Sequence, residues 1–580
     1  MKKIKLCTML FLTAFTAFAQ NSIKENNTFS LPGTIETMKI ASGGILLVGT
    51  SEGLTAIEAH SNNVAYQYNT LGKIKPEEMT MMDNLPYVIL TRGYTKVILN
   101  YISGEEIFNS LKSGWSSVSS IKSDFTNQKI YMLGSNAQGY AFGVFNANTL
   151  ANEGIINFSD KKTMGVYIDV TRYYESNGKL FVRTEKGIVC VDKKSFKIDW
   201  AYDDLDKVWQ FISVITNPEK GLFFVTESDG KNSLLHKIDN SGKRTTKKPV
   251  KLEATTQTLS FVPQGLLCQM YDGKTSFQLY NVQTAEKIWE KPVEIKGSLF
   301  LAEKTQNEII YASNSGLINT IDLNNGSIKL KKDIKTGDFF SQMIFLENDN
   351  VFYITSIDMG IANLKTGEYV KEPIKFKKAT NMISSFDEKN NRFVVSTGTE
   401  LYFITKDGTS TKVTDIKFKE DETPSKIEFR DSGILLGAKQ NNLMISYEGK
   451  IIYESYYKAP GQSLAAKIAL GALAATLASQ SLNQNMAGNN KDANQSASAA
   501  GGMAGEFSKR FGATKDTKNF LYILTKLEDG IGLVKLNKDN GTKIAELLLK
   551  DKKPTYEVDD DFGILYFKSD KKQIKSYDLR

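Results

Sequence analysis

A short apolar strand returns along this chain at a nearly fixed interval, and that period restricts the possible folds more than any other feature. It begins at Ile45 (ILLVGT), Tyr87 (YVILT), Ile130 (IYMLGS), Leu180 (LFVRT), Leu222 (LFFVT), Leu266 (LLCQM), Ile309 (IIYAS), Val351 (VFYIT), Phe393 (FVVST), Ile434 (ILLGA), Leu521 (LYILT) and Ile564 (ILYFK). Most steps are 41 to 44 residues; one is 50, from Ile130 to Leu180, and one is about twice the period, from Ile434 to Leu521. A second strand follows each across a tight turn, as in GLINTIDL. A third follows a polar turn, as in KIWEKPV, and a further strand precedes the apolar one, as in QTLSFV. Four short strands every 40 to 45 residues, punctuated by Gly, Asn and Asp, predict an all-β chain of β-propeller blades, since one such sheet cannot bury both faces without neighbours.

Twelve units exceed the four to eight blades with which propellers ordinarily close, so the expectation is two tandem rings. The simplest division puts one group of blades in residues 27–300 and the other in 301–580. The last unit, ending at Arg580, lacks a fourth strand, while an orphan strand, NTFSLPG, stands at Asn27–Gly33. Pairing the two joins the termini and removes two exposed edges at once.

The turn before the fourth strand reads Asp/Asn-x-x-Thr/Ser/Asn-Gly, followed by a ring or aliphatic residue. Its fuller copies are Asn100, Ser103, Gly104 and Phe108; Asp192, Ser195 and Trp200; and Asn281, Thr284 and Trp289. Weaker copies are Asp322, Asn325, Gly326 and Leu330; Asn363, Thr366 and Gly367; and Asn537, Asn540 and Gly541. Asx side chains cap such turns, Gly takes the left-handed position, and the ring wedges against the next blade, so these residues read as architectural. The repeat resembles that of the quinoprotein-like, or pyrroloquinoline-quinone-like, β-propellers, whose motif is Ala-x-Asp-x-x-Thr-Gly-x-x-x-Trp. The likeness covers nearly all of the chain after its leader, with the Trp kept at Trp200 and Trp289. It implies one of two functions: a quinone- and calcium-dependent dehydrogenase, or a non-catalytic envelope scaffold of the outer-membrane-protein assembly lipoprotein B type. The adjacent cysteine pair of many such dehydrogenases is absent.

Lys2, Lys3 and Lys5 precede an apolar run, Leu10 to Phe18, and the small-residue site Ala17-Phe18-Ala19. That pattern predicts a secretory signal peptide over residues 1–19, cleaved after Ala19, and hence an exported chain in the periplasm or at the cell surface. Three cations of a formal net charge of +8 leave with the leader. The remaining mild excess lacks the Lys/Arg clustering of a nucleic-acid binder. Cys190 and Cys268 sit in apolar strands and read as small buried hydrophobes rather than a disulfide.

One segment breaks the β pattern. Residues 461–515 open with an Ala- and Leu-rich stretch, 463–482, whose Lys467 is the sole charge, and continue into a Gly/Asn/Ser/Ala tract. The stretch predicts a helix with Leu464, Ile468 and Leu482 on one side and Leu470, Leu473 and Leu477 on the other. A helix apolar all round is buried or docked. Its apolar core, about 22 Å long, is short of a roughly 30 Å bilayer. Packing within the propellers, docking on an envelope protein and peripheral membrane contact therefore stay open.

No reaction is written in the remaining residues. Two histidines, His60 and His236, exclude multi-imidazole metal sites, and both read as turn or surface residues. There is no nucleophile elbow, phosphate-binding loop or zinc spacing. Asp203, Asp204 and Asp206, and Asp559 to Asp561, lack calcium-loop spacing. No catalytic residue, cofactor or metal is assigned. The expectation is an exported, non-enzymatic scaffold that binds a protein or envelope component, the alternative being a quinone-dependent or carbohydrate-active enzyme using a propeller channel.

Overall fold

The structure, a computed structural model, describes residues 21–159, 179–376, 381–460 and 515–580, apart from 62, 125, 184–187, 193–194, 196, 206–210, 218–221 and 229–231. Among them the chain is nearly all β, with two single 3-10 turns at Pro76–Glu78 and Lys419–Asp421. The strands form twelve separate sheets, antiparallel but for one added strand. In chain order these are blade 1 (35–68), blade 2 (79–109), blade 3 (115–159), blade 4 (179–202, three described strands), blade 5 (211–252), blade 6 (255–294), blade 7 (299–335), blade 8 (342–375), blade 9 (383–415), blade 10 (426–456), blade 11 (515–548) and blade 12 (556–578). This is the propeller architecture that the period predicts.

The second and third strands of each blade are continuous apolar runs because both their faces are covered. Every residue of Ile45–Thr50, Thr275–Tyr280 and Gly433–Gly437 is buried. Alternation then divides them between neighbours. Ile45 and Leu47 join the core shared with blade 2, whereas Leu46 and Val48 join the core shared with blade 12. In blade 2, Val88 and Leu90 face blade 1 while Tyr87 and Ile89 face blade 3. Burying each such side chain contributes about 1.5–3 kcal/mol, so the fold is held by its seams rather than by any one sheet. Shared cores join blades 4 through 12 in unbroken succession and continue through blades 1, 2 and 3. First strands of neighbouring blades approach each other, which places them at the hub and the fourth strands outside.

Two amino-terminal strands complete the far end of the chain. β1 (Asn21–Ser22) lies parallel to the outer strand of blade 11, Lys543–Leu548. β2 (Glu25–Ser30) lies antiparallel to Gln573–Asp578 and supplies the fourth strand of blade 12, with Phe29 opposite Ile574. The orphan strand and the unfinished last unit therefore meet. The sequence division at 300/301 falls inside Leu299–Lys304, the first strand of blade 7, and the seam of blades 6 and 7 on which it borders is filled by a shared core like the others.

His236 departs from the sequence reading: it is 0 % exposed in Ser233–Ile238, its Nδ1 within 2.7 Å of the Tyr202 hydroxyl of blade 4. A seam position in a central strand buries whatever residue stands there. His60 is an exposed turn residue. Cys190 and Cys268 are free and buried in separate blades, and burial pushes the Cys190 thiol up to about 12. The leader 1–19 and the docking residues Leu464, Ile468, Leu470, Leu473 and Leu477 lie outside the described residues.

Candidate interaction face

Each blade has two ends. Turns between strands one and two and between three and four share one, the turn side; turns between two and three and the connections to the next blade share the other, the loop side. The repeated motif occupies the turn side. Asn281 Oδ1 accepts from the backbone N–H of Gln283 (2.7 Å) and Thr284 (3.1 Å), and Thr284 Oγ1 accepts from that of Glu286 (3.2 Å). Asn363, Thr366 and Glu368 repeat the arrangement, as do Asn100, Ser103 and Glu105. Asp322 Oδ1 accepts from Asn324 N–H at 2.8 Å. Asp192 Oδ2 accepts from Lys179 Nζ and its Oδ1 from Ser195, contacts that hold its carboxyl well below the usual range.

These turns are also floors for the preceding blade's outer strand. Trp289 of blade 6, 2 % exposed, lies on Gly326 of blade 7 and donates its indole N–H to Leu323 O at 3.0 Å. Tyr66 of blade 1 lies on Gly104 and donates to Tyr101 O at 2.9 Å; Tyr453 of blade 10 lies on Gly541 and donates to Lys538 O at 2.7 Å. Trp200 packs on Gly242, and Leu330 on Gly367. The named motif residues thus lock neighbouring blades and leave the turn side hydrogen-bonded to itself. Sequence reading missed the copy at Asn146 and Thr149, because Leu150, at φ 51°, stands where Gly is expected.

The loop side is different. Of fifteen large apolar side chains left exposed among the described residues, six sit on outer strands, three (Ile288, Ile328 and Val370) on irregular outer-edge segments paired with third strands, and one, Ile102, at a turn-side tip. The other five, Tyr94, Leu111, Tyr271, Phe339 and Ile357, are at loop-side connections or strand ends. Several have fixed backbones: Tyr94 O accepts from Val118 N–H (2.8 Å) and Ile357 O from Phe376 N–H (3.0 Å).

Phe339 and Ile357, 65 % and 45 % exposed, stand on adjoining loops of blades 7 and 8. The buried Asp358 carboxylate ties those loops together, accepting from Gly337 N–H at 3.0 Å and from the Thr355 hydroxyl. Ser356 N–H and hydroxyl both donate to Asp338 O, at 3.2 and 2.9 Å. Phe339 has φ 57°, a strained conformation for a bulky residue, while the next residue, Phe340, is buried and stacks on Phe300 at 5.5 Å.

A cleft of about 630 Å³ opens at the seam of blades 11 and 12, with Ile23, Leu547, Phe567 and Tyr577 among its apolar lining and Glu528 and Asp529 at its edge. A smaller one, about 180 Å³, lies beside Lys419, Asn441 and Tyr456 of blades 9 and 10. The sequence-singled carboxylates have other partners: Asp204 pairs with Arg244, Asp559 accepts from Phe562 N–H, and Asp560 accepts from Lys518 N–H. Among the described residues no three His, Cys, Asp or Glu side chains cluster to hold a metal ion, and no helix is long and apolar enough to cross a membrane.

No family profile matches the chain, and no curated protein matches it. Solved structures similar to it include BamB from Moraxella catarrhalis, 13% identical, covering 57% of this chain and 94% of its own, with a TM-score of 0.27. The dihydro-heme d1 dehydrogenase NirN in complex with DHE is 14% identical over 60% of this chain and 76% of its own, with a TM-score of 0.30. Sqt1 of Saccharomyces cerevisiae is 10% identical over 58% of this chain and 96% of its own, also at 0.30. The chain is a twelve-bladed member of the β-propeller architecture.

Proposed function

We propose that this chain is an exported, non-enzymatic scaffold that binds a protein of the cell envelope through its loop side. The observation that carries this reading is the Phe339–Ile357 pair: two exposed apolar side chains on loops braced by Asp358 and Ser356. Rigid apolar residues lose little entropy on binding, and aromatic anchors of this kind dominate protein interfaces. The opposite side spends its polar groups on its own turns and exposes one large apolar residue, so the two sides differ in what they offer a partner.

The test is photo-crosslinking in cells from positions 94 and 339 on the loop side and 102 on the turn side, read by mass spectrometry. The reading expects one envelope protein captured from the loop-side positions alone, with capture from position 94 lost in Phe339→Ser. The same set of proteins from both sides, or none, overturns it.

A further inference from the structure

One outer edge is unlike the others. Among the described residues the outer strands of blades 1 to 10 and 12 have no strand added beyond them, whereas that of blade 11 carries β1. The addition is short: Asn21 lies opposite Ala545, Ser22 opposite Glu546, and Ile23 N–H donates to Glu546 O at 3.3 Å. A net hydrogen bond contributes about 0.5–1.5 kcal/mol, and fixing each backbone residue costs about 1–2 kcal/mol. The backbone pairing of β1 is therefore near break-even, and the Ile23 side chain, packed against the core that holds Leu547, Leu549 and Tyr577, supplies the favourable part. The strand's place is secured by the connection to β2, where Phe29 and Leu31 are buried in the seam of blades 12 and 1.

The edge borders the 630 Å³ cleft, which Ile23 enters from one side beside Leu547, Leu549 and Tyr577. The cleft carries the carboxylates of Glu25, Glu528, Asp529 and Glu546 against the ammonium groups of Lys550 and Lys575, so its lining is net negative. Lys575 is engaged by Glu25 at 2.6 Å and Glu546 by Lys543 at 2.8 Å, so the negative character of the lining rests on Glu528 and Asp529. An edge that already accepts a strand, an apolar floor and a negative rim together describe a site for an extended peptide. Added strands bind in this way, with the backbone supplying affinity and side-chain pockets supplying selection.

We infer that the seam of blades 11 and 12 is a strand-accepting peptide site, occupied in this chain by its own Asn21-Ser22-Ile23-Lys24. Its outside ligand is an extended segment of a partner protein that carries an aliphatic side chain followed by a base. The inference rests on the partner-binding reading above but at a separate address from Phe339 and Ile357. The tethered segment acts as an internal competitor at an effective concentration on the order of millimolar.

The test compares the chain beginning at Gln20 with one beginning at Lys24, using a fluorescein-labelled peptide copying residues 20–24 and reading anisotropy. The shortened chain binds the peptide, and the longer chain binds it at least about tenfold more weakly because its own segment competes. Replacing the peptide's Ile by Asp abolishes binding, and Glu528→Lys with Asp529→Lys in the shortened chain weakens it severalfold. If the shortened chain misfolds by circular dichroism, Ile23→Asp in the full-length chain frees the edge without shortening it, and the same gain in peptide binding is expected. Equal binding by occupied and freed chains, or binding indifferent to the Ile, overturns the inference. Crosslinking from positions 94 and 339 reports on the loop-side reading independently, so the two fail separately.

Discussion

The seam between blades 6 and 7 and the seam between blades 10 and 11 use the same lock in different surroundings. In the first, Trp289 rests on Gly326 within a core of Leu267, Phe277, Leu279, Ile309, Tyr311 and their neighbours. In the second, Tyr453 rests on Gly541, but the apolar cluster there is small: Leu521, Ile523 and Leu536, with Tyr457 against them. Ions fill the difference. Arg430 Nε and Nη2 donate to the two oxygens of Asp539 at 2.6 and 3.0 Å, and Lys538, its side chain 3 % exposed, reaches Glu428 at 2.8 Å and Asp516 at 2.5 Å. The ionic seam is the one whose two blades are separated in sequence by residues 457–514. Charged groups with fixed geometry specify one docking register, a use that apolar surface serves less well. The lesson is that the lock fixes how blades pair, while the filling around it varies.

The comparison is broken most directly at the apolar seam. Trp289→Ala removes a buried indole and leaves Leu323 O without its donor, an expected loss of about 3–5 kcal/mol in equilibrium denaturation that changes little with salt. Gly326→Ala attacks the same lock from below. Its φ of 73° disfavours a side chain, and a Cβ there lies 2.8 Å from the Trp289 ring, so about 2–4 kcal/mol is expected.

The ionic seam breaks differently. Lys538→Met takes one cation from Glu428 and Asp516, which keep Arg430 and Lys426 between them, so the expected cost is about 1 kcal/mol after allowing for the partial exposure of both carboxylates. Its signature is pH. Burial pushes Glu428 up, but Lys538 and Arg430 outweigh it and hold the carboxyl below its ordinary value; Arg430 holds Asp539 low too. A carboxyl depressed in the fold adds stability above its unfolded pKa, and that stability is lost as pH falls through the depressed value. Acid titration of the intact chain is therefore expected to show a larger fall below about pH 4.5 than Lys538→Met does. Parallel curves sink the claim that ions hold this seam.

The locks explain how much of the molecule is visible in its sequence. The period, the four-strand unit and the meeting of Asn27–Gly33 with the last unit follow from local patterns, turn residues and alternation. Trp289 is legible only as a ring awaiting a neighbour, because a single sequence does not state which turn a ring meets, and Tyr453 escapes altogether. The ionic seam is not legible: nothing local to Lys426, Glu428 and Arg430 says that Asp516, Lys538 and Asp539 of the next blade stand beside them. His236 was misread for the same reason, since its burial is decided by blade 4. The loop-side pair escaped too. Phe339 and Ile357 look in sequence like any other apolar residues of a β chain, and their exposure depends on which connection each occupies.

The smallest expected effect tests whether Gly at the lock matters for its backbone or for the ring above it. Blade 6 places Ala285 at the left-handed position, φ 59° and 1 % exposed, where blade 7 has Gly326. The outer strand of blade 5, Arg244 to Leu252, brings no aromatic residue to that turn. Backbone preference alone says that Ala285→Gly relieves about 1 kcal/mol of strain, part of which is offset by the greater freedom of Gly in the unfolded chain. Loss of the buried methyl opposes it by about 0.8 kcal/mol. Ala285→Gly is therefore expected to change stability by less than about 0.5 kcal/mol in either direction. Against the loss of 2–4 kcal/mol at Gly326→Ala, that small change would assign most of the glycine requirement to the ring it supports. A gain of more than about 1 kcal/mol at Ala285→Gly would instead assign it to the backbone, and the lock would then be a turn first and a wedge second.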